Sequence, residues 1–151
     1  MKKLFAAATA VFMLLCCGCG GKETPKTEIM ILAECDGAAL APAEYAAEVL
    51  LDGKEQPLSE KENGYCIAAA DSGRITGTVM YQERVQVSFG FEYGGLPLED
   101  AQLKISLSHG DGVLRAEQTF TARQNGQPIE RRNSAETADS ESILSVSEIK
   151  E

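Results

Sequence analysis

The sequence predicts an all-β protein, with a single antiparallel β-sandwich of about seven strands behind a cleaved signal peptide. From residue 27 onward, short segments alternate apolar and polar residues with a period of two, the pattern of half-buried antiparallel strands. Asx-Gly pairs, which tolerate the positive φ angles of tight hairpins, stand between these segments. Five such pairs occur: Asp36-Gly37, Asp52-Gly53, Asn63-Gly64, Asp111-Gly112 and Asn125-Gly126.

Seven segments carry the strand pattern. In chain order they cover residues 29–35, 45–51, 65–69, 75–81, 85–93, 103–107 and 114–121. An aromatic stripe on a strand is more often core than a carbohydrate-binding face, so we expect the aromatic residues of these strands to fill the core. They are Tyr45, Tyr65, Tyr81, Phe89, Phe91 and Tyr93.

The second segment also carries helix signals. Pro42 stands near its start, good helix formers follow, and Gly53 stands at its end. We nevertheless predict a strand over 45–51, because the Asp52-Gly53 turn and the phrase Gln56-Pro57-Leu58 after it indicate a strand that turns and returns.

The first 18 residues are predicted to be a signal peptide. Lys2 and Lys3 supply a positive start, residues 4–15 are apolar or small, and the run breaks at Gly18-Cys19. A cysteine directly after a small residue resembles a bacterial lipoprotein signal. That resemblance implies that the Cys19 sulfur receives diacylglycerol and that the chain is cut in front of Cys19.

Cys17 is the alternative lipidation site, since it places Leu14 where the lipoprotein family usually has leucine. Two other readings are a membrane-spanning anchor, for which the apolar run is short, and ordinary secretion after an Ala-x-Ala site. With lipidation, residues 19–26 form a lipidated tether, and acyl chains such as palmitate hold the protein to the cell membrane on its extracytoplasmic face.

Four short phrases follow one another within residues 27–92. They are Tyr45…Val49-Leu50-Leu51-Asp52-Gly53-Lys54, Asn63-Gly64-Tyr65, Ser72-Gly73-Arg74-Ile75-Thr76 and Val85-Gln86-Val87. Their order resembles that of immunoglobulin-like modules of bacterial surface proteins, and this resemblance implies a sandwich with no particular ligand. The chain departs from true immunoglobulin domains because it has no Trp and because Cys66 follows Tyr65 directly.

Cys35 and Cys66 are the two cysteines that follow the predicted signal peptide and tether. An even pair in an exported domain permits one disulfide, and the alternative is two free thiols. Side-chain parity places Cys35 on the face of Ile29 and Ile31 but Cys66 on the face opposite Ile67, which argues against the bond.

The sandwich domain is predicted to cover residues 27–130. Residues 131–151 are mostly polar and would bury too little apolar surface to offset the entropy of ordering, so we expect a disordered tail. Its last apolar residues, Ile143, Leu144, Val146 and Ile149, could form a final strand or a frayed helix.

The net negative charge of the chain argues against nucleic acids as partners. The net charge is −9, and it becomes −11 when Lys2 and Lys3 leave with the signal peptide. Nucleic acids and anionic lipid headgroups repel so acidic a body, so no nucleic-acid partner is expected.

No residue pattern predicts catalysis, a metal site or a cofactor. His109 is the single histidine, with Asp111 two residues away, and we interpret it as a solvated turn residue. The carboxylate pairs Glu34/Asp36 and Glu99/Asp100 do not establish the separation that hydrolytic chemistry needs.

The sequence therefore favours a non-catalytic, membrane-anchored surface lipoprotein that binds another envelope protein or has a structural role. The alternative is a solute- or glycan-binding lipoprotein, and a small hydrolase comes third.

Overall fold

Two β-sheets pack face to face in the computed structural model, which describes residues 27–70, 72–95 and 97–148. The β-sandwich prediction is thereby confirmed. In the described residues, no helix is long and apolar enough to cross a membrane. The predicted signal peptide, tether and lipidation site at Cys19 or Cys17 lie outside the described residues.

The described chain forms twelve strands and one 3-10 helix over Pro42–Glu44. The strands are β1 (Thr27–Cys35), β2 (Ala38–Ala39), β3 (Tyr45–Leu51), β4 (Lys54–Glu55), β5 (Ser59–Lys61), β6 (Gly64–Ala69), β7 (Gly73–Tyr81), β8 (Val85–Tyr93), β9 (Glu99–Gly110), β10 (Val113–Gln124), β11 (Gln127–Ala138) and β12 (Ile143–Ser145).

The larger sheet has the order β11-β10-β9-β1-β6-β5, with β2 beside β1, and the smaller sheet has the order β12-β8-β7-β3-β4. Both sheets are mixed, because β1 pairs with β9 in parallel and β12 pairs with β8 in parallel. The prediction of a purely antiparallel sandwich needs that correction. The immunoglobulin-like assignment stays a prediction.

All seven predicted strands are present, as β1, β3, β6, β7, β8, β9 and β10. Residues 45–51 form a strand, as predicted, and the helix signals before them belong to the 3-10 turn that Pro42 opens. Asp36-Gly37, Asp52-Gly53, Asp111-Gly112 and Asn125-Gly126 all have positive φ at both residues, as tight hairpins require.

Aromatic residues fill the space between the sheets. Phe91 of β8 and Phe120 of β10 lie 4.6 Å apart between ring centroids. Tyr81 donates its hydroxyl hydrogen to the carbonyl of Ile105 across the sandwich at 2.6 Å. Tyr45 does the same to Ile31 at 3.2 Å, so the buried hydroxyl groups are satisfied. The core interpretation of the aromatic stripe is confirmed for five of its six residues, whereas Tyr65 is half-buried and packs against the margin of the core.

One polar side chain links the sheets through the core. Gln118 of β10 is fully buried, and its Oε1 accepts the backbone N–H of Gly90 of β8 at 3.1 Å. Its Nε2 donates to the Gly90 carbonyl at 3.4 Å. The Gln118 side chain in the larger sheet is thus hydrogen-bonded to the backbone of the smaller sheet.

The prediction that residues 131–151 are disordered is wrong for 131–148. β11 pairs with β10 over twelve consecutive residues, and β12 adds to the smaller sheet beside β8. Leu144 and Val146 are buried in the core, which confirms the final-strand alternative; Ile149 lies outside the described residues.

Polar contacts order this segment where apolar residues are few. The Arg131 side chain pairs with Glu148, donates to the Glu92 carbonyl at 2.5 Å and lies 5.7 Å from the Phe91 ring centroid. Asn133 donates to the Val146 carbonyl at 2.8 Å. The sandwich therefore extends to residue 148 at least.

Candidate functional site

The parallel pairing of β1 with β9 brings two distant parts of the chain together. Both strands run in the same direction with Cys35 opposite Leu107, so the residues that follow meet at one edge of the sandwich. The Asp36 N–H donates to the Leu107 carbonyl at 2.8 Å. Cys35, Asp36 and His109 become neighbours there, and we call them the rim cluster.

Asp36 is the centre of the rim cluster. Its Oδ1 accepts the backbone N–H of His109 at 2.7 Å. Its Oδ2 lies 3.0 Å from Nδ1 of His109 and 3.8 Å from Sγ of Cys35. One ligand-type atom from each of the three side chains lies within 4.8 Å of the others.

The surroundings change two of the ionisation equilibria. The backbone N–H of His109, and then its ring, stabilise the Asp36 carboxylate and hold its pKa below the usual 3.8. Burial, and then the negative charge of Asp36, raise the pKa of the Cys35 thiol above its usual 9.0. Asp36 is therefore ionised at neutral pH and Cys35 is protonated.

A protonated Cys35 thiol is unsuited to nucleophilic catalysis. A catalytic cysteine needs a lowered pKa and a base within hydrogen-bonding distance. Here the nearest polar side-chain atom is a carboxylate oxygen that raises the thiol pKa. The rim cluster is suited to holding a cation or to joining two strand ends.

An open cleft of about 320 Å³ adjoins the rim cluster on the side of β10 and β11. His109 and Asp111 form part of its lining, and an ion pair between Arg115 and Glu136 forms another part. The lining of the cleft is a mixture of polar and apolar groups, and the cleft is open to solvent rather than enclosed like the pockets that hold small organic ligands.

His109 is exposed, as predicted, but it lies within the last two residues of β9 rather than in a turn. Its carboxylate partner is Asp36, 73 residues away, rather than Asp111, two residues away. No sequence signal could reveal this pair, because it depends on a parallel strand pairing over a long separation.

The other carboxylates named from the sequence do not form paired sites. Glu34 forms an ion pair with Lys104 at 3.3 Å, and Asp100 lies 4.0 Å from Arg123. Each of these acids thus has a basic partner, as expected of surface residues.

Cys35 and Cys66 are both free thiols in the structure. Cys66 lies opposite Met30 in the β1–β6 pairing, so Cys35 is five residues further along β1, or about 16 Å at about 3.3 Å per residue. A disulfide needs Cα atoms within about 7 Å. The predicted possible bond therefore does not form in this fold.

β11 is the second feature that sequence reasoning missed. One edge of this twelve-residue strand pairs with β10, and in the described part of the chain no strand pairs with the other edge. The Ser134 N–H donates to the Asn133 side chain at 3.1 Å instead of to β10, which identifies the backbone groups on the open side.

No protein-family model matches the chain, and no curated protein or solved structure is significantly similar to it.

Proposed function

We propose that this protein is a non-catalytic, lipid-anchored module of the cell envelope, and that it binds an extended segment of another envelope protein along the open edge of β11. The observation that carries this proposal is the length of that unpaired edge. An edge strand presents a row of N–H and C=O groups, which an incoming strand can use to extend the sheet.

The exposed face of β11 makes such pairing selective. Pro128 lacks an N–H, and Glu130, Arg132 and Glu136 alternate in charge along the exposed face. Charged residues and proline suppress indiscriminate pairing of edge strands. A partner strand with the complementary order of charges would gain cross-strand contacts of about 0.2–1 kcal/mol each.

Anchoring supports the same role. If Cys19 carries the lipid, the eight residues 19–26 span at most about 29 Å before β1 begins. The sandwich would then stay close to the bilayer and meet envelope proteins as neighbours rather than by free diffusion.

Two substitutions at one position test the binding edge. Ser134→Pro removes an outward N–H without touching the β10 ladder, whereas Ser134→Ala keeps that N–H. With the full chain as bait on envelope extracts, we expect Ser134→Ala to retain the partner of the native protein and Ser134→Pro to lose it. Equal capture by both variants would rule out the β11 edge.

The alternative of a solute- or glycan-binding lipoprotein has a separate test. Sugars and peptides are screened by thermal shift, because a ligand at a hundred times its Kd adds about 2.7 kcal/mol to folding stability. A saturable shift with a sugar would favour that alternative, and a hydrolytic activity would contradict the non-catalytic role.

The lipid anchor is tested by mass spectrometry of the native amino terminus. We expect a chain that begins at Cys19 with diacylglycerol on its sulfur, loss of membrane attachment in Cys19→Ser, and retention in Cys17→Ser. An unmodified and uncleaved terminus would refute the anchor.

A further inference from the structure

We propose that the rim cluster is a zinc site, with Cys35, Asp36 and His109 as three protein ligands and a fourth position open to solvent. This inference is independent of the lipid anchor and of the β11 edge. It begins from the chemistry of the donors: a thiol, a carboxylate and an imidazole are the three side-chain types that bind Zn²⁺ in proteins.

The distances suit tetrahedral coordination. Zinc bonds of about 2.0–2.3 Å place neighbouring ligand atoms about 3.3–3.7 Å apart. The Asp36 Oδ2 atom lies 3.0 Å from His109 Nδ1 and 3.8 Å from Cys35 Sγ, and the remaining separation is within 4.8 Å. Small side-chain rotations therefore suffice to surround an ion.

The backbone holds the donors in place. The Asp36 N–H donates a hydrogen bond to the Leu107 carbonyl, and the His109 N–H donates one to Asp36 Oδ1. Oδ1 accepts this N–H, and Oδ2, which lies 3.0 Å from His109 Nδ1 and 3.8 Å from Cys35 Sγ, is the carboxylate atom placed to bind the ion. Ligands fixed in this way lose less entropy when the metal binds.

Access and charge also favour a cation. The side chains of His109 and Asp36 are 41% and 54% exposed, so an ion reaches the cluster without a structural change. When zinc binds, the Cys35 thiol releases its proton to solvent and a zinc–thiolate bond replaces the S–H bond.

The donor set selects against other common ions. Ca²⁺ and Mg²⁺ take oxygen ligands, and this cluster offers a single carboxylate. Thiolate and imidazole suit Zn²⁺ and other late transition metals. Three protein ligands with an open fourth position would allow zinc to bind an exogenous ligand, or a donor from a partner, at the neighbouring cleft.

Titration of the full chain with zinc and cobalt tests the proposal. Cys16, Cys17 and Cys19 are first replaced by serine, since their thiols would bind metal themselves. In this background we expect one equivalent of Zn²⁺ by calorimetry. We also expect Co²⁺ to give a thiolate charge-transfer band in the near ultraviolet.

Three further variants locate the ligands. Cys35→Ser should abolish the cobalt charge-transfer band, and His109→Ala should weaken zinc binding by at least about tenfold. Cys66→Ser, the matched control, should leave both signals unchanged. Circular dichroism confirms that each variant keeps its strands.

The proposal is overturned if the background chain shows no saturable zinc binding. It is also overturned if Cys35→Ser binds zinc as tightly as the background chain, or if the cobalt band is lost in Cys66→Ser instead.

Discussion

Residues 131–148 are expected to be necessary for stability, although their composition resembles that of a disordered tail. The relevant perturbation is Leu144→Ala in β12. Leu144 lies in the core and is 4% exposed to solvent, whereas its neighbour Ile143 is 67% exposed. Truncating a buried leucine costs about 2–5 kcal/mol, because apolar burial is lost and a cavity remains. Ile143→Ala should stay within about 0.5 kcal/mol of the native protein.

Deletion of residues 131–151 is the more severe form of the same test. It removes the buried side chains of Leu144 and Val146, each of which contributes about 1.5–3 kcal/mol by burial. The sum of about 3–6 kcal/mol is a large part of the 5–15 kcal/mol typical of a domain. We therefore expect the shortened chain to be partly or wholly unfolded at room temperature.

Urea unfolding followed by far-ultraviolet circular dichroism measures these changes, since the chain has no Trp for fluorescence. The reasoning is refuted if the shortened chain unfolds at the same urea concentration as the full chain. Equal midpoints for Leu144→Ala and Ile143→Ala would refute it as well.

Three further predictions concern the core. Gly77→Ala should destabilise the protein by at least about 1–3 kcal/mol in urea unfolding, because the added Cβ would lie 2.3 Å from the Glu48 carbonyl oxygen. Gln118→Leu should cost about 1–3 kcal/mol in the same measurement, because the buried N–H of Gly90 loses its partner. Burial raises the pKa of Tyr45 to about 12, so the stability that its neutral hydroxyl contributes should be complete below pH 10. That contribution should be lost between pH 10 and 12, as followed by ultraviolet titration and urea unfolding.

Each of these predictions has a control. Gly110→Ala adds a Cβ that meets no atom within 4 Å, so it should be nearly neutral, and an equal loss in Gly110→Ala and Gly77→Ala would contradict the steric reason. Gln118→Glu keeps an acceptor for the Gly90 N–H, and its carboxyl group can ionise. The stability of Gln118→Glu should therefore depend on pH in a way that the stability of Gln118→Leu does not. Tyr45→Phe should flatten the fall in stability above pH 10, and an unchanged fall would exclude Tyr45 as its source.

The strands could be predicted where a segment buries apolar side chains on one face. Residues 85–93 are the clearest example, since every second residue from Val85 to Tyr93 faces the core or its margin. β11 could not be recognised this way, because its inward positions include Arg131 and Asn133. These residues are ordered by hydrogen bonds to parts of the chain that no local pattern identifies.

In the candidate site, too, the residues could be named from the sequence but their partners could not. Cys35, Asp36 and His109 were each named from the sequence, but His109 was interpreted as a solvated turn residue and Cys35 was considered with Cys66. Local spacing supplies only neighbours along the chain, and the true partners come from the parallel pairing of β1 with β9.

The amino-acid sequence by itself determined the all-β class, the seven central strands and four of the five predicted Asx-Gly turns, because alternation and Asx-Gly chemistry act over a few residues. Only the tertiary structure decided the mixed sheets, the ordered residues 131–148 and the meeting of Asp36 with His109. These features depend on which strands become neighbours, and that choice is made by packing of the whole core rather than by any one segment.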